Sequence, residues 1–232
     1  KTGIFFTTVK FNEGVNRVRA TAVTPDSLTA SCEMEFIYEK RDITRNPIPL
    51  WIDERSVEPA ADVELLQEDN VIISFRGSKG QEALIALQPG KLNLKCSRTD
   101  YSDYSIYRAE LPLSKLQPGK AYKVILKLQA APAMNYKSIQ ELPLKNTIRV
   151  MEPGDFPHLK VKAENSRLVY NLGAPRLGGP IRSELGPGVV LKANGKIGRN
   201  YRVGLSGTEN GFIAQDDVEV MPAETVSPSF YI

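Results

Sequence analysis

The sequence predicts an all-β chain, and three observations carry that expectation. Runs rich in Val, Ile, Thr and aromatic residues alternate polar with apolar side chains, the period of a half-buried strand. The runs recur roughly every ten residues between turns built on Gly, Pro, Asn and Asp, and the 232 residues include 17 Gly and 16 Pro spread along the chain. Nowhere does the chain carry the long 3.6-residue period of an amphipathic helix.

Taken in order, residues 1–42 read as a small β module. Phe5 to Phe11 is strand-like, Asn12-Glu13-Gly14 is a turn, and Asn16 to Val23 alternates. Pro25-Asp26-Ser27 turns the chain into Thr29–Tyr38, with Ala30, Cys32, Met34 and Phe36 on one face. Three strands are too few to stand alone, so this module is expected to be partial. Residues 41–59 read as a linker, charged and then punctuated by Pro47 and Pro49. The single Trp, Trp51, follows, either as an anchor for the linker or as a carbohydrate-stacking platform.

Residues 50–152 read as a β-sandwich-like module. Its strands are expected at Asn70–Phe75, Glu82–Leu87, Leu92–Cys96, Ser105–Leu111, Ala121–Leu128 and Thr147–Val150. Met151 to Pro157 supplies a boundary. Residues 155–222 form a last module of short strands separated by Gly178-Gly179-Pro180, Gly186-Pro187-Gly188, Asn194-Gly195 and Ser206-Gly207. Residues 223–232 read as the start of a linker or a next domain. Apolar runs at Ile4-Phe5-Phe6 and Phe230-Tyr231-Ile232 suggest an excerpt of a longer polypeptide. Pro47, Pro49, Pro153 and Pro157 are expected to limit freedom between modules.

Composition bounds the partners. Hydrophobic residues make up 41% and charged residues 25%, which fits folded cores rather than disorder. The net charge is +3 with both signs interleaved, so no nucleic-acid partner is expected, while a mild attraction to an acidic polymer stays open. No run of 18 apolar residues occurs, so no membrane-spanning helix is expected. Cys32 and Cys96 lie in different modules and read as buried small apolar residues, a disulfide being the alternative.

Catalytic motifs are scarce. Zinc hydrolysis needs two or three imidazoles, often with a carboxylate, and the chain has one histidine, His158. No Gly-x-Ser-x-Gly elbow is present to pair with it. Arg76-Gly77-Ser78-Lys79-Gly80 lacks the spacing of a phosphate loop and reads as a turn. Asp100, Asp103, Asp216 and Asp217 lack calcium-loop spacing and read as solvated turn residues. Tyr101, Tyr104 and Tyr107 read as loop or core packing, with a sugar-stacking surface as the alternative. No catalytic, cofactor-binding or metal-ligating residue is expected.

Several strings carry a resemblance. Leu168 to Pro175, Gly188 to Lys192, Asn200-Tyr201-Arg202-Val203-Gly204-Leu205-Ser206 and Gly211-Phe212-Ile213-Ala214 resemble the bacterial SH3-like barrel. Together with Pro49-Leu50-Trp51-Ile52-Asp53, Ile73 to Gly80 and Pro175 to Gly179, they are similar to the non-catalytic N-terminal half of Bacteroidetes-type cell-wall hydrolases, the N-acetylmuramoyl-L-alanine amidases. Glu13 to Ala22 resembles the end of a bacterial immunoglobulin-like module. The resemblance implies a periplasmic or secreted location in the cell envelope. It also implies peptidoglycan or its stem peptides as partner, and a catalytic domain of the same polypeptide beyond Ile232 that would hold the zinc. The expected function is therefore a peptidoglycan-binding or positioning segment of an amidase. The alternative is the β-domain stalk of a surface or adhesin protein without hydrolase activity. A stand-alone enzyme would need a deep pocket of convergent carboxylates.

Within the barrel the ligand-binding candidates are Tyr170, Tyr201 and Phe212. Tyr201 and Phe212 lie on consecutive strands and would neighbour each other if the hairpin pairs in register. The competing reading makes both core residues of a small barrel, because Val203 and Leu205 share the parity of Tyr201 and look inward. Tyr170 is the candidate for an exposed ring.

Overall fold

Regular structure is almost wholly extended, as the alternating runs predict. The computed structural model describes residues 7–38, 47–132, 138–172, 179–206 and 209–222. They belong to two units, Lys1–Thr44 and Arg45–Ile232.

The first unit is an antiparallel ribbon of β1 (Gly14–Val23) and β2 (Thr29–Tyr38), paired without a bulge from Gly14↔Tyr38 to Val23↔Thr29. Asn16 fixes its entry, where the side-chain oxygen accepts from the Asn12 N–H at 2.8 Å and the amide donates to the Asn12 carbonyl at 2.7 Å. Register sorts the faces. Phe36, Val18, Met34, Ala20, Cys32, Ala22 and Ala30 share one, and Arg17–Glu35 pairs at 3.2 Å on the other. The strand expected from Phe5 to Phe11 does not form over residues 7–11, and its first two residues lie outside the described set. Phe11 nevertheless packs on Phe36, ring centroids 5.2 Å apart. Cys32 is exposed, so its expected burial is corrected: among the described residues the ribbon is two strands wide, too narrow to bury a side chain in its middle.

The second unit begins with Leu50 buried in a core and Trp51 partly buried. The Trp51 N–H donates to Ser78 Oγ at 2.9 Å, and the Ser78 N–H returns to the Trp51 carbonyl at 3.0 Å. A four-stranded sheet follows the order β3 (Ile52–Glu58), β5 (Asn70–Gly77), β9 (Ser105–Pro112), β8 (Ser97–Asp100). Opposite it lie β4 (Val63–Leu66), β11 (Ile139–Met151), β10 (Ala121–Gln129), β6 (Glu82–Gln88) and β7 (Asn93–Lys95). Alternate residues of both layers fill one core: Ile73, Phe75, Tyr107 and Leu111 from the first, Ile85, Leu126, Leu128 and Val150 from the second. Buried Tyr107 is fully hydrogen-bonded, donating to the Ser78 carbonyl at 2.6 Å and accepting from the Gln81 N–H at 3.0 Å.

The last strands are β12 (His158–Val161), β13 (Ser166–Val169), β14 (Ile181–Leu185), β15 (Val190–Ile197), β16 (Asn200–Gly204), β17 (Asn210–Ala214) and β18 (Val218–Met221). They enclose a second core of Phe156, Leu159, Val161, Leu168, Ala193, Tyr201, Val203, Ile213 and Val218. The two cores fall on either side of the boundary expected near residues 153–157, but that boundary is not a loose hinge. Strand β4 pairs in parallel with β11 and antiparallel with β15, so one sheet runs unbroken from β7 to β14.

Two features weld this joint. Arg202, 8% exposed, reaches from β16 to clasp Asp69 with bonds of 2.8 and 2.6 Å. Asn194 takes two more of its donors, at 3.0 Å through the side-chain oxygen and 2.9 Å through the carbonyl. Gly195 makes room, because a Cβ there would stand 2.6 Å from Leu65 Cδ2 and 2.9 Å from Arg202 Nε.

Candidate functional site

A hollow of about 720 Å³ opens beside the joint. Strand alternation builds its floor. Val169 and Phe212 are directly opposite each other across β13 and β17, and Ile197 continues the floor from β15. Pro59, Ala60 and Ala61 form the wall on the side of the first core. The β15–β16 turn holds that wall close: the Gly198 N–H donates to the Asp62 carbonyl at 2.9 Å, and a Cβ on Gly198 (φ 56°) would stand 2.9 Å from that of Ala61.

The rim carries both signs of charge, Arg167 and Arg199 against Glu58 and Asp217. Arg199 is held by Asp216 through bonds of 2.7 and 2.9 Å. Arg167 is exposed and has no ion-pair partner among the described residues. No hydrogen bond joins Glu58 to Asp217. Such a site can hold a ligand with apolar groups below and charged groups above.

The three aromatic candidates do not form one groove. Register pairs Tyr201 with Ile213 and Arg202 with Phe212, so Tyr201 and Phe212 point to opposite faces of the hairpin. Tyr201 lies in the second core, 8% exposed, with the Lys196 ammonium 5.1 Å from its ring centroid. Phe212 is half-buried in the floor of the hollow. Tyr170 is 53% exposed, outside the hollow lining, beneath the Arg182 guanidinium at 4.9 Å; Arg182 also pairs with Glu209.

Other sequence candidates sit elsewhere. Tyr101 and Tyr104 stack at 4.9 Å on the loop between β8 and β9, while Tyr107 is core. Asp216 serves Arg199, and Asp100 accepts from Ser105 Oγ at 2.6 Å. His158 is part of β12, in register with Lys192 and Met221. No group of three His, Cys, Asp or Glu side chains able to hold a metal ion occurs among the described residues. Sequence reading missed Arg167 and the Pro59–Ala61 wall. Arg167 stands two residues before Val169 and shares its face, which alternation could have shown; the wall depends on a contact between distant segments.

No family model, no curated protein and no solved structure matches the chain.

Proposed function

We propose that the chain is a non-catalytic binding segment of a cell-envelope protein. In this reading it holds peptidoglycan through a stem peptide and positions an amidase domain of the same polypeptide. The hollow beside the joint is the observation that carries the reading. Its apolar floor of Val169, Ile197 and Phe212 suits small aliphatic side chains. Arg167 suits a peptide carboxylate, and Glu58 and Asp217 suit an amine. The resemblance of the last strands to bacterial SH3-like barrels supports the same choice of ligand.

The test is pull-down on purified peptidoglycan, with titration of soluble muropeptides. Phe212→Ala and Arg167→Gln are each expected to weaken binding by roughly tenfold. Tyr170→Ala is expected to leave binding and melting temperature unchanged. Loss with Tyr170→Ala alone would move the site to the exposed ring. No binding by the native chain would favour the stalk. Release of the muramic acid–peptide amide by the purified chain would overturn the non-catalytic reading.

A further inference from the structure

A second hollow, of about 340 Å³, lies at the opposite end of the long sheet path, where β6 and β7 meet the segment before β10. Its lining holds three lysines, Lys91, Lys115 and Lys120, and no carboxylate. None of the three ammonium groups has an ion-pair or hydrogen-bond partner among the described residues. All three lysines are exposed, and they border one hollow whose volume is that of a sphere about 9 Å across, close to one Debye length at physiological salt. Like charges gathered around one hollow favour an anion there.

The floor adds an independent observation. Tyr122 lines the hollow and is only 6% exposed. Its phenolic oxygen accepts from the Gln117 N–H at 3.0 Å, and its own proton has no acceptor among the described residues. A largely buried tyrosine with a spare O–H donor thus lines the same hollow as the three lysines. Leu87, Pro89, Leu92 and Leu116 complete the floor with apolar surface.

We infer that this hollow is a binding site for a phosphate group. A phosphate offers three or more acceptor oxygens to four donors, where a carboxylate offers two. Lysines serve it as point charges without the planar fork that arginine imposes. The apolar floor accommodates the organic part of an ester. The inference is independent of the peptide hollow, which shares no residue with this one.

Calorimetric titration of the full chain with inorganic phosphate, glycerol phosphate and poly(glycerol phosphate) tests it, with polyglutamate of equal charge as the carboxylate probe. Phosphate-bearing probes are expected to bind, more weakly as salt rises. Tighter binding of the esters would identify an ester as the natural source, and equal binding would identify free phosphate. The variant Lys91→Gln/Lys115→Gln/Lys120→Gln is expected to lose roughly tenfold or more in affinity, and Tyr122→Phe about threefold, with melting temperature followed in parallel. Lys145→Gln/Lys162→Gln/Lys192→Gln, of the same net charge change, is expected to bind as the native chain does. Absence of phosphate binding, equal loss in that control, or polyglutamate bound as tightly through the same lysines would each overturn the inference.

Discussion

The two cores of the larger unit differ in how they are closed. Among the described residues the first gathers 22 buried apolar residues from two facing sheets. The second has nine of them, inside one set of short strands. A module of about 65 residues buries too small a fraction of its surface to be more than marginally stable alone. The second core therefore borrows. Leu66 and Met151, both from before the boundary, pack against it. Strand β4 extends the sheet into it, and Asp69 pairs with its buried Arg202. Modules that look separate in sequence are one body in structure, and the larger hollow takes its walls from both sides of the joint.

The most damaging way to break that dependence is Asp69→Ala. It leaves the Arg202 guanidinium buried without its carboxylate and also removes the acceptor for the Leu66 N–H at 2.9 Å. The expected cost is about 3–5 kcal/mol. Chemical denaturation should show the last strands melting before the rest, and muropeptide binding should fall with them. The pair Asp69→Leu/Arg202→Met should recover most of the loss, because no buried charge remains.

Leu159→Ala comes next. Leu159 is fully buried and removing its methyl groups costs about 2–5 kcal/mol. In the small core this should lower the midpoint for the whole unit while the joint holds. Leu126→Ala, at an equally buried site of the large core, calibrates the comparison.

Tyr107→Phe sharpens it within the first core. The substitution keeps the ring, which stacks on Phe75 at 5.2 Å, and strands the Ser78 carbonyl and the Gln81 N–H. A loss of about 1–3 kcal/mol is expected in the denaturation midpoint. The smallest effect is on pH dependence. Burial pushes the Cys96 thiol up to about 12 from 9.0. Between those values the unfolded chain has lost a proton that the folded chain keeps. This contribution to stability is therefore present below pH 9 and declines as pH rises toward 12. Thiol labelling at pH 8 should modify exposed Cys32 quickly and Cys96 only on unfolding.

How much of this was legible in the sequence follows from which interactions are local. The strands expected at Asn70–Phe75, Ser105–Leu111 and Ala121–Leu128 form and run one or two residues further, because runs of β-formers bounded by turns are a local signal. Strand parity placed Tyr201 inward with Val203. Strand β3 was hidden in the supposed linker, its apolar positions diluted by Asp53, Glu54 and Arg55. The pairing of β4 with β15 was illegible, since it joins residues far apart in sequence and leaves no local period. Register fixed the fate of Phe212, and register across a hairpin of this length depends on the turn. Both hollows belong to the same class: Lys91, Lys115 and Lys120 look like scattered surface charge until three turns meet.

The joint is tested most directly by native-state hydrogen exchange of the chain in rising urea. If the two cores are one body, slow amides of β16, such as that of Val203, should converge with those of β10, such as that of Leu126, on one opening free energy, and should part from them in Asp69→Ala. Exchange of β16 at its own lower free energy in the native chain, unchanged by Asp69→Ala, would contradict the account.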